Sequence, residues 1–555
     1  MLLWAFASAV LAADPAAVRS PRGMVASPEA HASRVGADVL DDGGTAADAA
    51  IAVAFALAVT NPQAGGLGGG GFVLYRDENG DHSALDFRET APAGLEADLF
   101  LDESGTPVPG LSLDSALAVG VPGVVAGLIE IHARWGTLPW KRLVDPAIEL
   151  ARDGFAVYPD LLRAYRTGEE RLRNDAEALR IFLPGGSVPL QGAILKQPEL
   201  AVTLERIARK GRAGFYEGPT AEALVRAVRA RGGVLELGDL DAYATVGREP
   251  VRGTYRGYRV VSFPPPSSGG VILLQMLAML EHFELTDGYG ASSTIHLMSE
   301  IERRAFADRS KWLGDPDHYD VPLEGLLDAD YIASRVATID PERITPSSKI
   351  LPGTPSHEGE DTLHFSVTDR AGRAVSLTTT LNTNFGSGIT ARGTGIVLNN
   401  EMDDFSLAPG VPNTYGLLGG EANAVRPLKR PLSSMTPTIV EAAEPGGRPF
   451  LVLGSPGGPR IINAVFQVLV NVIDHEMPLQ AAVNAPRVHH QWIPDLIYHE
   501  RRALPEDVRR ALKALGHTLA TRGTIGNVNA IGLDAQGHWL GAADPRKGGT
   551  AEGQR

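Results

Sequence analysis

The chain has 555 residues, enough for two ordinary domains or one large interleaved one. A hydrophobic share of 44% and a charged share of 21% describe a soluble globular protein, and a net charge of −15 argues against a nucleic-acid surface. There are no cysteines, which excludes disulfides, thiolate metal sites and a cysteine nucleophile.

Residues 1–13 form an apolar run too short to span a membrane but suited to a signal-peptide core, although a positively charged leading segment is missing. Ser27-Pro28-Glu29 reads as an N-cap followed by proline, opening a helix that runs to about Leu40. A second helix, Ala46 to Val59, is apolar on every face and starts with a capping pattern, Thr45 with Asp48 three residues on, so it is expected to be a buried core helix. The glycine run from Gly65 to Gly71 lacks the lysine and hydroxyl of a phosphate loop, so it predicts close backbone packing or a tight bend. Phe72 to Tyr75 and Ser83 to Phe87 read as paired strands across Asp77-Glu78-Asn79-Gly80, with Arg88 at the end of the second.

Helical spacing follows near Gly123–Trp135, Leu143–Arg152, Pro198–Lys210 and Thr220–Arg231. Val251 to Phe263 alternates like one strand, and two helices are expected after it, ending near His282 and Trp312. From Asp340 to Glu360 the chain is a proline-rich linker, and at its end a threonine, Thr362, opens an alternating stretch with Leu363, Phe365 and Val367 on one face. Threonine is common at strand starts, so alone this means little. A self-cleaving hydrolase, however, needs its nucleophile at such a junction. Cutting before Thr362 would free an α-amine of pKa ~7.7–8.0 beside the hydroxyl of the same residue, a base that works near neutral pH.

The rest is rich in strands and glycine turns: Val375 to Leu381, Gly395 to Asn400, a long loop from Ala408 to Gly420, strands ending at Val440 and Leu453, and a helix from about Ile461 to Asp474. The tail from Arg546 reads as disordered. His489 and His490 are neighbours in a strand pattern, so they point to opposite faces and are assigned a structural role rather than a metal site. No internal repeat and no stretch that reads as a transmembrane helix stands out.

Taken together, Gly43 to Ala50, Asn61-Pro62-Gln63 with the glycine run, Asp86-Phe87-Arg88-Glu89-Thr90-Ala91-Pro92, Asp361 to Val367, Thr380 to Thr383, Leu398 to Phe405, Pro431 to Met435 and Gly454-Ser455-Pro456-Gly457-Gly458 resemble the γ-glutamyltransferase family of N-terminal-nucleophile hydrolases, from about Gly23 to Trp539. The resemblance implies an α+β fold, a four-layer αββα sandwich. It implies self-cleavage between Asp361 and Thr362, dividing a large fragment, 14–361, from a small one, 362–555, that stay together as a heterodimer. Thr362 is then the nucleophile, Thr380 orients it, and the amides of Gly457 and Gly458 form the oxyanion hole. Arg88, Ser433 and Ser434 hold the α-carboxylate of a γ-glutamyl group, while Asn382, Glu401 and Asp404 hold its α-ammonium, and Tyr415 closes over the pocket. The implied substrates are glutathione and other γ-glutamyl compounds, with water, an amino acid or a peptide as acceptor, no cofactor and no metal, in the periplasm or outside the cell. Leu363 departs from the second threonine found after the nucleophile in many members. The rival readings are an acylase of the same fold, acting on glutaryl-cephalosporins or poly-γ-glutamate, and an unprocessed binding protein.

Overall fold

The computed structural model describes residues 16–350, 362–408, 420–442 and 447–555. Its core is two seven-stranded antiparallel sheets packed face to face. The first runs Thr550–Gly553, Met24–Ser27, Thr362–Thr368, Ala374–Thr380, Gly70–Arg76, His82–Asp86, Val246–Arg248. The second runs Val18–Ser20, Trp539–Ala542, Ala530–Leu533, Leu451–Leu453, Thr438–Glu441, Tyr258–Ser262, Val251–Tyr255.

Three apolar layers hold these together. Phe72, Leu74, Val261, Phe263, Ile439 and Val452 interdigitate between the sheets. Helices Ala30–Asp41 and Ala46–Thr60 cover the outer face of the first sheet through Val73, Leu363, Phe365 and Val367. Helices Gly269–Leu280, Ser292–Trp312 and Arg460–Ile473 cover the second. The result is the four-layer αββα sandwich expected.

The helix from Ala46 is buried along its whole length and carries the capping box read from Thr45 and Asp48. Its neighbour starts later than Ser27 implies. Glu29, not Ser27, is the N-cap, and its carboxylate accepts from His31 N and Ala32 N, because Ser27 is held in a strand opposite Thr550. Val251 to Phe263 is not one strand but a hairpin. Arg256 and Gly257 have φ of 49° and 84°, a two-residue turn whose twist matches its strands, and arginine-glycine is a weaker turn signal than asparagine-glycine. The tail is ordered too. Thr550–Gly553 pairs with Met24–Ser27, and Gln554 N donates to Gly23 O at 2.9 Å. Four residues of middling hydrophobicity carry no periodic signal; their order comes from a partner strand more than 500 positions away.

Candidate active site

Thr362–Thr368 is buried on both faces. Leu363, Phe365 and Val367 point into the helix layer, so Thr362, His364 and Ser366 face the opposing sheet. His364 touches Gly454 across the gap, and Ser366 Oγ donates to Asn529 O at 3.0 Å. The polar half of the alternation therefore turns towards a second sheet instead of solvent. Burial pushes the His364 imidazole down to about 3, so it is a neutral linker between Thr378 (2.9 Å) and Ser366 (3.1 Å).

The antiparallel register sets Thr362 opposite Thr380, and Thr362 Oγ1 donates to Thr380 Oγ1 at 3.3 Å. Thr380 Oγ1 in turn accepts from Asn382 N at 2.8 Å. Asn382 sits at φ 73°, a left-handed turn that asparagine tolerates, and its side-chain amide donates to Asn400 O at 2.9 Å.

Gly457 and Gly458 have φ of 134° and 59°, in the region that favours glycine, directly before helix Arg460–Ile473. Ser455 braces this turn, its Oγ accepting from Asn527 N at 2.9 Å and donating to Pro456 O at 2.8 Å. Thr362 and Gly457 line one cavity of about 380 Å³.

A charge cluster lies on the other side of Thr380. Thr380 is paired with Gly70, and a Cβ on Gly70 would overlap the carboxylate of Glu89. With strands ~4.8 Å apart, that places Glu89 roughly 10 Å from Thr362. The Arg88 guanidinium is buried and forms ion pairs with Glu401 and Asp404, while its Nε and Nη2 reach Pro431 O and Leu432 O, each at 3.3 Å. Glu401 and Asp404 were expected to hold an ammonium and Arg88 a carboxylate; here the three hold one another. Glu89 stands 4.0 Å from Arg88 Nη1, and burial pushes its carboxyl up to about 7, with Arg88 only partly opposing. Burial likewise holds Glu401 well above the usual carboxylate range.

Ser433 and Ser434 sit beside this cluster on the segment that supplies Pro431 and Leu432. Ser433 Oγ accepts from Met435 N at 3.1 Å. Ser434 Oγ accepts from Arg309 Nη2 at 3.1 Å, and Arg309 Nε donates to Ser268 Oγ at 2.8 Å. Sequence reasoning did not single out Arg309, Ser268 or Glu89. The signal for Arg309 was the dense charge from Glu300 to Arg309 in a helix with apolar neighbours, which a helix in contact with solvent on one face would equally show. Tyr415 and Asp361 lie outside the described residues, as do residues 1–13. Of the linker before Thr362, Ser347 is held by Trp492: Ser347 Oγ donates to Trp492 O at 2.6 Å and Trp492 Nε1 to Ser347 O at 2.9 Å. His489 bonds Asn463 and Gln491, and His490 bonds Asp495 and Trp492 N, so the two rings serve different partners.

An αββα sandwich whose central strand opens on a buried threonine, hydrogen-bonded across the register to a second hydroxyl, defines the N-terminal-nucleophile hydrolase class of fold. The family model described as gamma-glutamyltranspeptidase matches residues 32–554. The chain is 48% identical over 532 residues to the glutathione hydrolase proenzyme of Escherichia coli, covering 95% of this chain and 91% of that protein. Among solved structures, a cephalosporin acylase from Bacillus halodurans aligns over the whole of both chains with a TM-score of 0.86 at 28% identity. The Helicobacter pylori gamma-glutamyltranspeptidase aligns with a TM-score of 0.58 at 41% identity, over 61% of this chain and 96% of its own. This chain therefore belongs to the γ-glutamyltranspeptidase family.

Proposed function

We propose that the protein is a self-processing γ-glutamyltransferase and glutathione hydrolase that works through a threonine acyl-enzyme. One observation carries this reading: the Thr362 hydroxyl, bonded to Thr380, lines the same cavity as the Gly457 turn, in a chain of this family. In processing, Thr362 Oγ attacks the carbonyl of Asp361, the peptide C–N bond breaks and water cleaves the resulting ester. The small fragment then begins at Thr362. Its α-amine takes the hydroxyl proton as Oγ attacks the γ-carbonyl of a donor such as glutathione. Amides of Gly457 and Gly458 stabilise the developing oxyanion, a contribution of which one donor is worth ~10²–10³ in rate. The C–N bond breaks, the leaving amine departs with the proton, and water or an acceptor amine takes the γ-glutamyl group.

The head-group assignments follow from charge. A γ-glutamyl α-carbon carries a carboxylate and an ammonium together. The carboxylate exchanges for Glu401 and Asp404 on the Arg88 fork, with Ser433 and Ser434 beside it, and the ammonium takes the carboxylates so released together with the Asn382 side chain. The apolar run at residues 1–13 supports export to the periplasm or beyond the cell.

The test is intact mass and N-terminal sequencing after incubation near pH 7.5, followed by turnover of a γ-glutamyl anilide. Two fragments, the smaller starting at Thr362, and release of the aniline are expected. Thr362→Ala should stay a single chain and lose at least ~10³-fold in activity. A processed enzyme that cleaves a glutaryl amide but no γ-glutamyl amide would turn the reading to an acylase.

A further inference from the structure

Residues 431–434 are gripped from two sides by arginines. From one side come the Arg88 contacts to Pro431 O and Leu432 O. From the other comes Arg309, in the last turn of helix Ser292–Trp312. That helix is buried at every residue over 294–310, and Arg309 itself is 1% exposed. A guanidinium so placed is no surface charge, and its N–H groups must find partners inside.

Two arms of the Arg309 fork reach the serine pair. Nη2 donates to Ser434 Oγ at 3.1 Å and Nε to Ser268 Oγ at 2.8 Å. Ser268 is fully buried and passes the grip on, since its Oγ and its N both donate to Ser433 O at 2.7 Å. Ser433 N donates to Pro266 O at 2.9 Å, and Ser267 Oγ to Met435 O at 2.6 Å. The pair is thus laced to the turn at 264–268, with one planar guanidinium as the common brace.

This brace decides which way a hydroxyl points. A serine has one hydrogen to give and accepts on its oxygen, whereas arginine only donates. At the Arg309 contact the Ser434 oxygen must therefore accept, and its hydrogen points away from the guanidinium. Ser433 is in the same state, its oxygen accepting from Met435 N at 3.1 Å. Among the described residues neither hydroxyl has an acceptor for its own hydrogen. Two buried hydroxyls with filled oxygens and free hydrogens suit an anion, and accepting from a charged donor makes the Ser434 O–H the stronger donor. Without Arg309 that hydroxyl could rotate and accept, serving an ammonium as readily as a carboxylate.

We propose that Arg309 is a positioning residue for the donor's α-carboxylate: by holding the oxygen of Ser434 it aims the Ser434 O–H at that carboxylate, and so sets the preference for acyl groups that end in one. The proposal rests on the reading that Ser433 and Ser434 meet the α-carboxylate of a γ-glutamyl donor.

The test is a double-mutant cycle on turnover of a γ-glutamyl anilide by the processed enzyme, with Arg309→Lys, Ser434→Ala and the two together. Lysine keeps the charge but lacks the fork that spans two hydroxyls. Each single change is expected to lower kcat/KM roughly tenfold, the scale of a hydrogen bond to a charged group, and mainly by raising KM. The double variant should lose little more than Ser434→Ala alone, because Arg309 acts through that hydroxyl. Losses that multiply, or an Arg309→Lys loss confined to kcat, would overturn the proposal and leave Ser434 in its role. If Arg309→Lys does not process, Ser268→Ala takes its place, removing one small hydroxyl and freeing one arm of the fork. It should raise KM several-fold in the parent and much less beside Ser434→Ala; an unchanged KM in the parent would overturn the proposal. A Ser434→Ala enzyme with the parent KM would remove the carboxylate reading itself, and the proposal with it.

Discussion

At the scale of single residues, the chemistry gathers around three buried carboxyls and one guanidinium. Burying three acids beside one base is stable only if protons are retained: burial holds Glu401 well above the usual carboxylate range and raises Glu89 from 4.5 to about 7. Its folded value lies above its unfolded one, so the stabilisation is complete below about pH 4.5 and is lost as pH rises through 7. The corresponding cost above pH 7 is on the order of 3 kcal/mol. Glu89→Gln removes that titration. Its melting temperature should therefore match the parent near pH 4.5 and exceed it at pH 8. A difference of the same size at both pH values would show that Glu89 does not carry the proton. Arg88, Glu401, Asp404, Ser433 and Ser434 were all legible as motif residues. That Arg88 already carries two acidic partners was not, because a sequence does not say which charges meet in the dark.

At the scale of elements, the glycine run shows how backbone contact can outrank side-chain pattern. Gly69, Gly70 and Gly71 have ordinary φ values, so they are not there to make a turn. They are there because the neighbouring strand comes too close. A Cβ on Gly69 would overlap the Thr380 carbonyl oxygen, and one on Gly71 the Thr378 carbonyl oxygen. Gly69→Ala should thus cost about 1–3 kcal/mol, read as a lowered denaturation midpoint, and should also slow processing by displacing Thr380 from Thr362. If stability falls while processing keeps its rate, Thr380 does not orient the nucleophile. The bend or close-packing reading of this run was available from composition alone. The Val251 hairpin and the tail strand were not, since their turn residues and pairing partner lie outside any local pattern.

At the scale of the whole molecule, the proposed cut divides the chain but not the fold. In the first sheet, Met24–Ser27 from the large fragment lies between Thr550–Gly553 and Thr362–Thr368 of the small one, and Ala374–Thr380 pairs with Gly70–Arg76. In the second sheet, strands of the small fragment are flanked by Val18–Ser20 and by Tyr258–Ser262. The processed fragments should accordingly elute as one species on size exclusion in native buffer and separate only in denaturant. Separate peaks with activity retained would show that one fragment folds alone. Removing residues 550–555 should weaken this association, because the tail strand closes the edge of Met24–Ser27.

The sequence by itself determined the buried capped helix and set Thr362 at a linker-to-strand junction, and its resemblance to a known family carried the expectation of an αββα sandwich and named most of the residues gathered near that threonine. The helix and the junction rest on local chemistry: a cap, an apolar run, a hydroxyl followed by alternation. The tertiary structure decided what those groups meet. The register brings Thr362 opposite Thr380, the second sheet turns the polar face of the Thr362 strand inward, and packing sets Arg88 between Glu401 and Asp404 and Arg309 against Ser434. These are pairings between positions far apart in the chain, fixed by burial and strand geometry, and no window of sequence contains both partners.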